Sequence, residues 1–148
     1  MAAPEKIDFG GEVSRILPLI LREVTKKQMT VFSKGGLSLP QVVVLDLLRE
    51  KGACMMGDLA RTLHLTMSAV TGIVDKMIKL NMIKRERSKE DRRIVRVILL
   101  EKGEKTAKQI SKERKNISND IFSVLSGSER REYLKLLKKI YNDLRKRT

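Results

Sequence analysis

Two short stretches of helical periodicity, separated by almost nothing, limit what this chain can fold into more than any other feature. The first runs around Met56 to Leu63, and the second sets Val70, Ile73, Val74 and Met77 on one face at three- and four-residue spacing. Between them His64 and Leu65 leave room only for a tight connection, and Thr66 can cap the second helix by accepting a first-turn amide. Asn81 lies just past that helix, where a left-handed residue closes the last turn and asparagine serves best after glycine. Two short helices joined by so tight a turn predict a helix-turn-helix.

The flanking segments complete a small module. Gly35-Gly36 breaks the chain, and Ser38-Leu39-Pro40-Gln41 opens a helix in which the serine hydroxyl and the glutamine amide can each satisfy an orphan donor. Pro40 suits that first turn. The helix carries Val43, Val44, Leu47 and Leu48 and is expected to stop at Gly52 in a left-handed conformation. Downstream, residues 83 to 87 and 94 to 100 have β character around the polar stretch Ser88-Lys89-Glu90-Asp91-Arg92, which predicts a hairpin, or wing.

The outer segments carry apolar stripes of their own. Residues 12 to 33 place Val13, Leu17, Ile20, Val24 and Val31 along one helical stripe; Pro18 removes a backbone donor, so a kinked helix and a start near Ser14 both fit. Beyond the wing, Ala107, Ile110, Ile117, Ile121 and Val124 mark a fifth helix. A sixth opens at the capping box Ser126-Gly127-Ser128-Glu129 and is expected to bury Tyr133, Leu137, Ile140 and Leu144. The region from 38 to 100 is already the size of a complete module, so these stripes need another surface. They can fold back on their own chain, but pairing of helices one, five and six with a second copy about a twofold axis is the more economical solution.

The expected fold class is therefore mainly α with a small β-hairpin wing, a winged helix-turn-helix with N- and C-terminal dimerisation helices. Residues 1–148 form a single domain in this reading, with 37–103 as the winged lobe and 1–34 and 104–148 as the dimerisation helices.

Charge narrows the partner. Lysine and arginine number 32 against 18 acidic residues, a net +14 in 148 residues, and a twofold dimer doubles it. Such a balance favours a polyanion. No apolar run approaches the roughly 20 residues that span a bilayer, and the N-terminus has no signal-peptide pattern, so a cytoplasmic protein without a membrane partner is expected. A single cysteine, Cys54, and a single histidine, His64, provide neither an intrachain disulfide nor a metal cage. Without a Gly-rich phosphate loop or a nucleophile-base constellation, no enzyme and no cofactor are expected. Five aromatic residues, none clustered on the basic segments, make a stacking platform for single strands a poor fit.

From Leu37 to Glu104 the chain resembles the multiple-antibiotic-resistance regulator (MarR) family. The resemblance is carried by Leu37-Ser38 and Gln41 at the entry to helix two, Asp58-Leu59-Ala60 in helix three, Thr66 to Asp75, Glu90-Asp91-Arg92-Arg93 in the wing, and Leu99-Leu100-Glu101-Lys102-Gly103 after it. It implies a DNA-binding transcriptional regulator, a repressor by default, that acts as a homodimer on a pseudo-palindromic duplex operator. It also implies that a small apolar or aromatic effector relieves repression. The alternative is a winged module that binds a protein without specific DNA readout.

The resemblance places Met67, Ser68, Ala69, Thr71 and Gly72 at base edges in the major groove, with Thr66 and Lys76 on phosphates. Ser68 and Thr71 can hydrogen-bond there, and Met67 or Ala69 can touch a thymine methyl. Met67 and Gly72 depart from the family pattern, which favours polar side chains at both positions, so direct readout is expected to be sparse and helped by the wing and by DNA shape. In the wing, residues 84 to 96 hold seven cations against three acids, and Arg85, Arg87, Lys89, Asp91, Arg92 and Arg93 are its DNA-facing candidates. Asp91 and Arg93 match an Asp-x-Arg pair in which the carboxylate orients an arginine toward the minor groove. Leu100 and Met55 stand where the family usually has capping residues. Cys54 is expected to be a structural thiol and His64 a turn residue. The methionines at 29, 55, 56, 77 and 82 are candidates for gap filling or for lining an effector pocket.

Overall fold

The computed structural model describes residues 7 to 147, the side chain of Lys34 excepted. Its elements run α1 (Phe9–Lys34), α2 (Leu39–Lys51), β1 (Ala53–Met55), α3 (Met56–Leu63), α4 (Met67–Lys79), β2 (Ile83–Arg87), β3 (Val95–Leu99), α5 (Glu101–Ile121), a 3₁₀ turn (Phe122–Val124) and α6 (Gly127–Arg147). The fold is a winged helix-turn-helix flanked by long helices.

Local chemistry explains most boundaries. The Asp8 carboxylate accepts the Gly11 N–H at 3.0 Å and starts α1 upstream of both expected positions. Pro18 lies inside that helix, where it removes one hydrogen bond of a 26-residue element rather than ending it. At α2, Gln41 Oε1 accepts from the Ser38 N–H at 2.8 Å and from its hydroxyl at 3.2 Å, which lets the glutamine side chain be buried. Gly52 closes the helix at φ 80°, and His64 and Asn81 take left-handed conformations at 53° and 56°.

The sheet has an extra strand. Besides the β2–β3 hairpin, β1 pairs antiparallel with β3, giving the order β1-β3-β2 with Cys54 opposite Val97 and Arg85 opposite Val97 on the other side. Three residues are too short for a period-two pattern to declare itself, so β1 is missing from the sequence reading. It ties the chain before the helix-turn-helix to the base of the wing.

One core unites the lobe with the flanking helices. Leu45, Leu48, Leu59, Val70, Val74, Met77, Ile83 and Val97 pack in a single cluster that also contains Phe32 of α1 and Ala107 and Ile110 of α5. Gly103 makes the closest junction: a Cβ there would collide with the Met82 carbonyl oxygen. The sixth helix forms where expected, and its capping box closes with Ser126 N–H on Glu129 at 2.7 Å and Glu129 N–H on the Ser126 hydroxyl at 3.3 Å. Its apolar stripe is not buried in the single chain, however: Tyr133, Leu137, Ile140 and Leu144 are all exposed, Ile140 by 57%. Val13, Ile16, Leu17 and Ile20 of α1 are exposed in the same way.

Candidate nucleic-acid interface

Helix α4 buries Val70, Val74 and Met77, with Ile73 half-buried beside them. Helical spacing then turns Ser68, Gly72, Lys76 and Lys79 outward, and all four are exposed. The helix starts as expected, with the Thr66 hydroxyl accepting the Ala69 N–H at 3.3 Å. Its free N-terminal amides and their dipole make that end attractive to phosphate. Met67 and Ala69 are also exposed, whereas Thr71 is half-buried and its hydroxyl donates to the Met67 carbonyl at 2.9 Å. The seven helix positions expected at DNA thus lie in the first three turns of one element or at its cap.

The wing brings the second group together. Arg85 sits on β2 and its guanidinium bonds Asp75 of α4 at 2.7 Å, which fastens the hairpin to that helix. Lys84 pairs with Glu86 along the strand at 3.4 Å. Arg87, Lys89, Arg92 and Arg93 are exposed and, among the described residues, carry no ion pair. The loop between the strands is tightly tied: Ser88 N–H donates to the Ile94 carbonyl at 2.9 Å, Ile94 N–H to the Asp91 carbonyl at 3.0 Å, and the Ser88 hydroxyl accepts the Glu90 N–H at 3.3 Å. Asp91 acts on Arg93 differently from expectation. Its Oδ1 accepts the Arg93 backbone N–H at 2.9 Å, so the carboxylate fixes the chain at the base of the arginine rather than clamping its guanidinium.

Residues 37–95 match the MarR family. Over 112 residues the chain is 32% identical to the HTH-type transcriptional regulator MgrA of Staphylococcus aureus, an alignment covering 74% of each protein. This chain belongs to the MarR family. Members share the architecture well beyond the matched segment. A MarR family protein from Bacillus stearothermophilus superposes with a TM-score of 0.85 at 24% identity, covering 97% of this chain and 99% of that one. The HTH-type transcriptional repressor MdtR of Bacillus subtilis is 24% identical over 119 residues, 80% of this chain and 77% of its own length. As a MarR-family protein the chain is a DNA-binding transcriptional regulator. Among the described residues no helix is long and apolar enough to cross a membrane.

Three further residues lie at the candidate interface outside the positions that the sequence reading assigned to DNA. Lys79 projects from the same face as Lys76, three residues on, and the helical spacing alone was enough to find it. Asp75 was read only as the end of a motif, although it anchors Arg85. Arg96 of β3 is exposed beside the loop cations. Cys54 and His64 stay outside the interface. Cys54 is buried between sheet and helices, and burial pushes its thiol pKa up against a smaller opposing pull from Lys51. His64 is the left-handed cap of α3.

A cavity of about 860 Å³ lies where the end of α1, the α4–β2 turn and α5 meet. Phe32, Leu37, Leu80 and Ile110 provide its apolar wall, and Lys102 and Lys105 stand at its side. Of the five methionines considered for such a pocket only Met82 lines it; Met77 is in the core, and Met29 and Met55 are exposed elsewhere.

Proposed function

We propose that the protein is a cytoplasmic homodimeric repressor that acts by binding, without a catalytic step or cofactor, and occludes a promoter at a pseudo-palindromic operator. Each protomer lays α4 in a major groove, with Met67, Ser68, Ala69, Thr71 and Gly72 at base edges and Thr66 and Lys76 on phosphates. Arg85, Arg87, Lys89, Arg92 and Arg93 of the wing follow the flanking minor groove, with Asp91 setting the backbone from which Arg93 reaches. The observation that carries this reading is the placement of exposed cations around α4 and the hairpin fastened to it: Lys76 on the outer face of α4 and Arg87, Lys89, Arg92 and Arg93 in the wing are all exposed and lack ion pairs among the described residues. Cations left unpaired on one side of a module are ready to exchange counterions for phosphates.

Residues 1–34 and 104–148 supply the dimer contact in this reading, because the exposed stripes of α1 and α6 are too apolar to face water. Repression is supported by the relative MdtR, a transcriptional repressor. The cavity at the α1–α5 junction suits an apolar or aromatic effector whose binding changes the spacing of the two lobes. Selection of bound duplexes from random DNA, followed by footprinting, tests the whole proposal. Two protected half-sites about 10 base pairs apart centre to centre are expected. Protection of one half-site alone overturns the dimeric mode, and failure to select any duplex overturns sequence-specific binding.

A further inference from the structure

We propose that the protein reads the major groove chiefly through thymine 5-methyl groups, and that Met67 is the specificity-determining side chain. The inference rests on the placement of α4 in the groove and adds what that helix detects there. Bases are told apart in the major groove by their hydrogen-bonding edges and by the thymine methyl, and the strongest edge readers are arginine or lysine on guanine and asparagine or glutamine on adenine. None of these four residue types occurs between Thr66 and Asp75.

The polar groups that do occur there are mostly committed. The Thr66 hydroxyl accepts the Ala69 N–H, Thr71 turns its hydroxyl proton back onto the Met67 carbonyl, and Asp75 holds Arg85. Among the described residues of these turns, Ser68 alone has a hydroxyl that makes no hydrogen bond. Gly72, exposed one turn on from Ser68, offers no side chain and has open space where a Cβ would stand, so the backbone can approach the base pairs closely. Apart from Ser68, what these turns offer for contact is mainly apolar. Met67 is 51% exposed at the leading end of the helix, with Thr71 four residues on along the same side. A thioether chain is flexible enough to seat itself against a methyl group whose position varies with DNA shape.

Deoxyuridine tests this directly, since it lacks only the 5-methyl group and keeps the pairing edge of thymine. In the selected operator, replacing the thymines of both protected major-groove segments should weaken binding about fourfold per contacted methyl, the equivalent of one buried carbon, and roughly 16-fold when one contact is lost from each half-site. The same replacement outside the footprint should leave affinity unchanged. In Met67→Ala the thymine and uracil duplexes should bind within about twofold of each other; Met67 lies outside the core, and a thermal melt matching the parent confirms the fold. Equal binding of both duplexes by the parent protein overturns this proposal while leaving the operator reading intact. A thymine preference that survives Met67→Ala overturns the role of Met67, and failure of the parent to bind any duplex overturns both readings.

Discussion

Removing the Arg93 guanidinium should flatten the salt dependence of operator binding by an amount set by the charge inventory of the interface. Five of the proposed DNA-facing cations of one protomer, Lys76, Arg87, Lys89, Arg92 and Arg93, lack an ion pair among the described residues. A dimer therefore brings about ten. If each neutralises one phosphate, log K against log salt should fall with a slope near −9, or a loss on the order of 10⁵ between 50 and 200 mM. Arg93→Ala removes one cation from each half-site, which brings the slope to about −7 and the loss to on the order of 10⁴. Arg85→Ala should change the slope less, because the Arg85 charge is already shared with Asp75 at 2.7 Å. Lys108→Ala is the distant control, paired with Glu104 on α5 at 3.3 Å. Anisotropy titrations of the selected duplex across a salt series give all the slopes. An unchanged slope for Arg93→Ala, or an equal change for Lys108→Ala, would refute the assignment of the interface to the wing.

Three further outcomes follow from the packing. Sedimentation at micromolar concentration should show a dimer that Leu137→Glu with Ile140→Glu, or removal of residues 126–148, dissociates or unfolds; a parent monomer contradicts the proposed interface. Gly103→Ala should lower stability in urea by about 1–3 kcal/mol, because its methyl must displace the Met82 backbone. The Asp58 carboxyl is held below its usual range first by the Met55 N–H and then by Arg61. A depressed carboxylate stabilises fully at neutral pH and loses its effect as pH falls through the depressed value, so Asp58→Asn should be less stable than the parent at pH 7 and the difference should close in acid. A gap that is constant with pH would show that the charge is not what matters.

How legible the fold was depended on the length scale of each signal. Helices α2 and α4 could be placed to within a residue because their ends are written in residue types: Gln41, Gly52, Thr66 and Asn81 each do in the structure what their chemistry allows. Strand β1 was illegible because its three residues acquire strand character only from a partner more than 40 positions away, Val97 opposite Cys54. The start of α1 was misplaced because Pro18 drew the eye, while Asp8 supplied the actual cap. In the site, residue types pointed to the wing cations, but which of them were free could not be read. Arg85 and Arg87 look equivalent in sequence, and only the approach of Asp75 separates them.

The mounting of the lobe links its two proposed tasks. Arg114 of α5 reaches Asp46 of α2 at 2.6 Å with its guanidinium 5.3 Å from the Phe32 ring centroid, and Arg49 of α2 meets Glu104 of α5 at 3.4 Å. Together with Ala107 and Ile110 in the shared core, these contacts hold the winged lobe to the first two-thirds of a 21-residue helix about 30 Å long. At the far end of that helix Arg130 of α6 donates to the carbonyls of Phe122 at 3.0 Å and Leu125 at 2.9 Å, while the Phe122 and Tyr133 rings lie 5.3 Å apart. Helix α5 is thus fastened at one end to the lobe that carries the proposed DNA-reading surface and at the other to the helix with the exposed apolar stripe. In the proposed dimer, a small rotation where two α6 stripes meet would be carried along α5 to the two α4 helices, because packed interiors transmit displacement rather than absorb it. The cavity beside Phe32 and Ile110 lies at the lobe end of this lever. In the proposed mode, a ligand that wedges there would change the half-site spacing without touching any of the residues proposed to contact DNA.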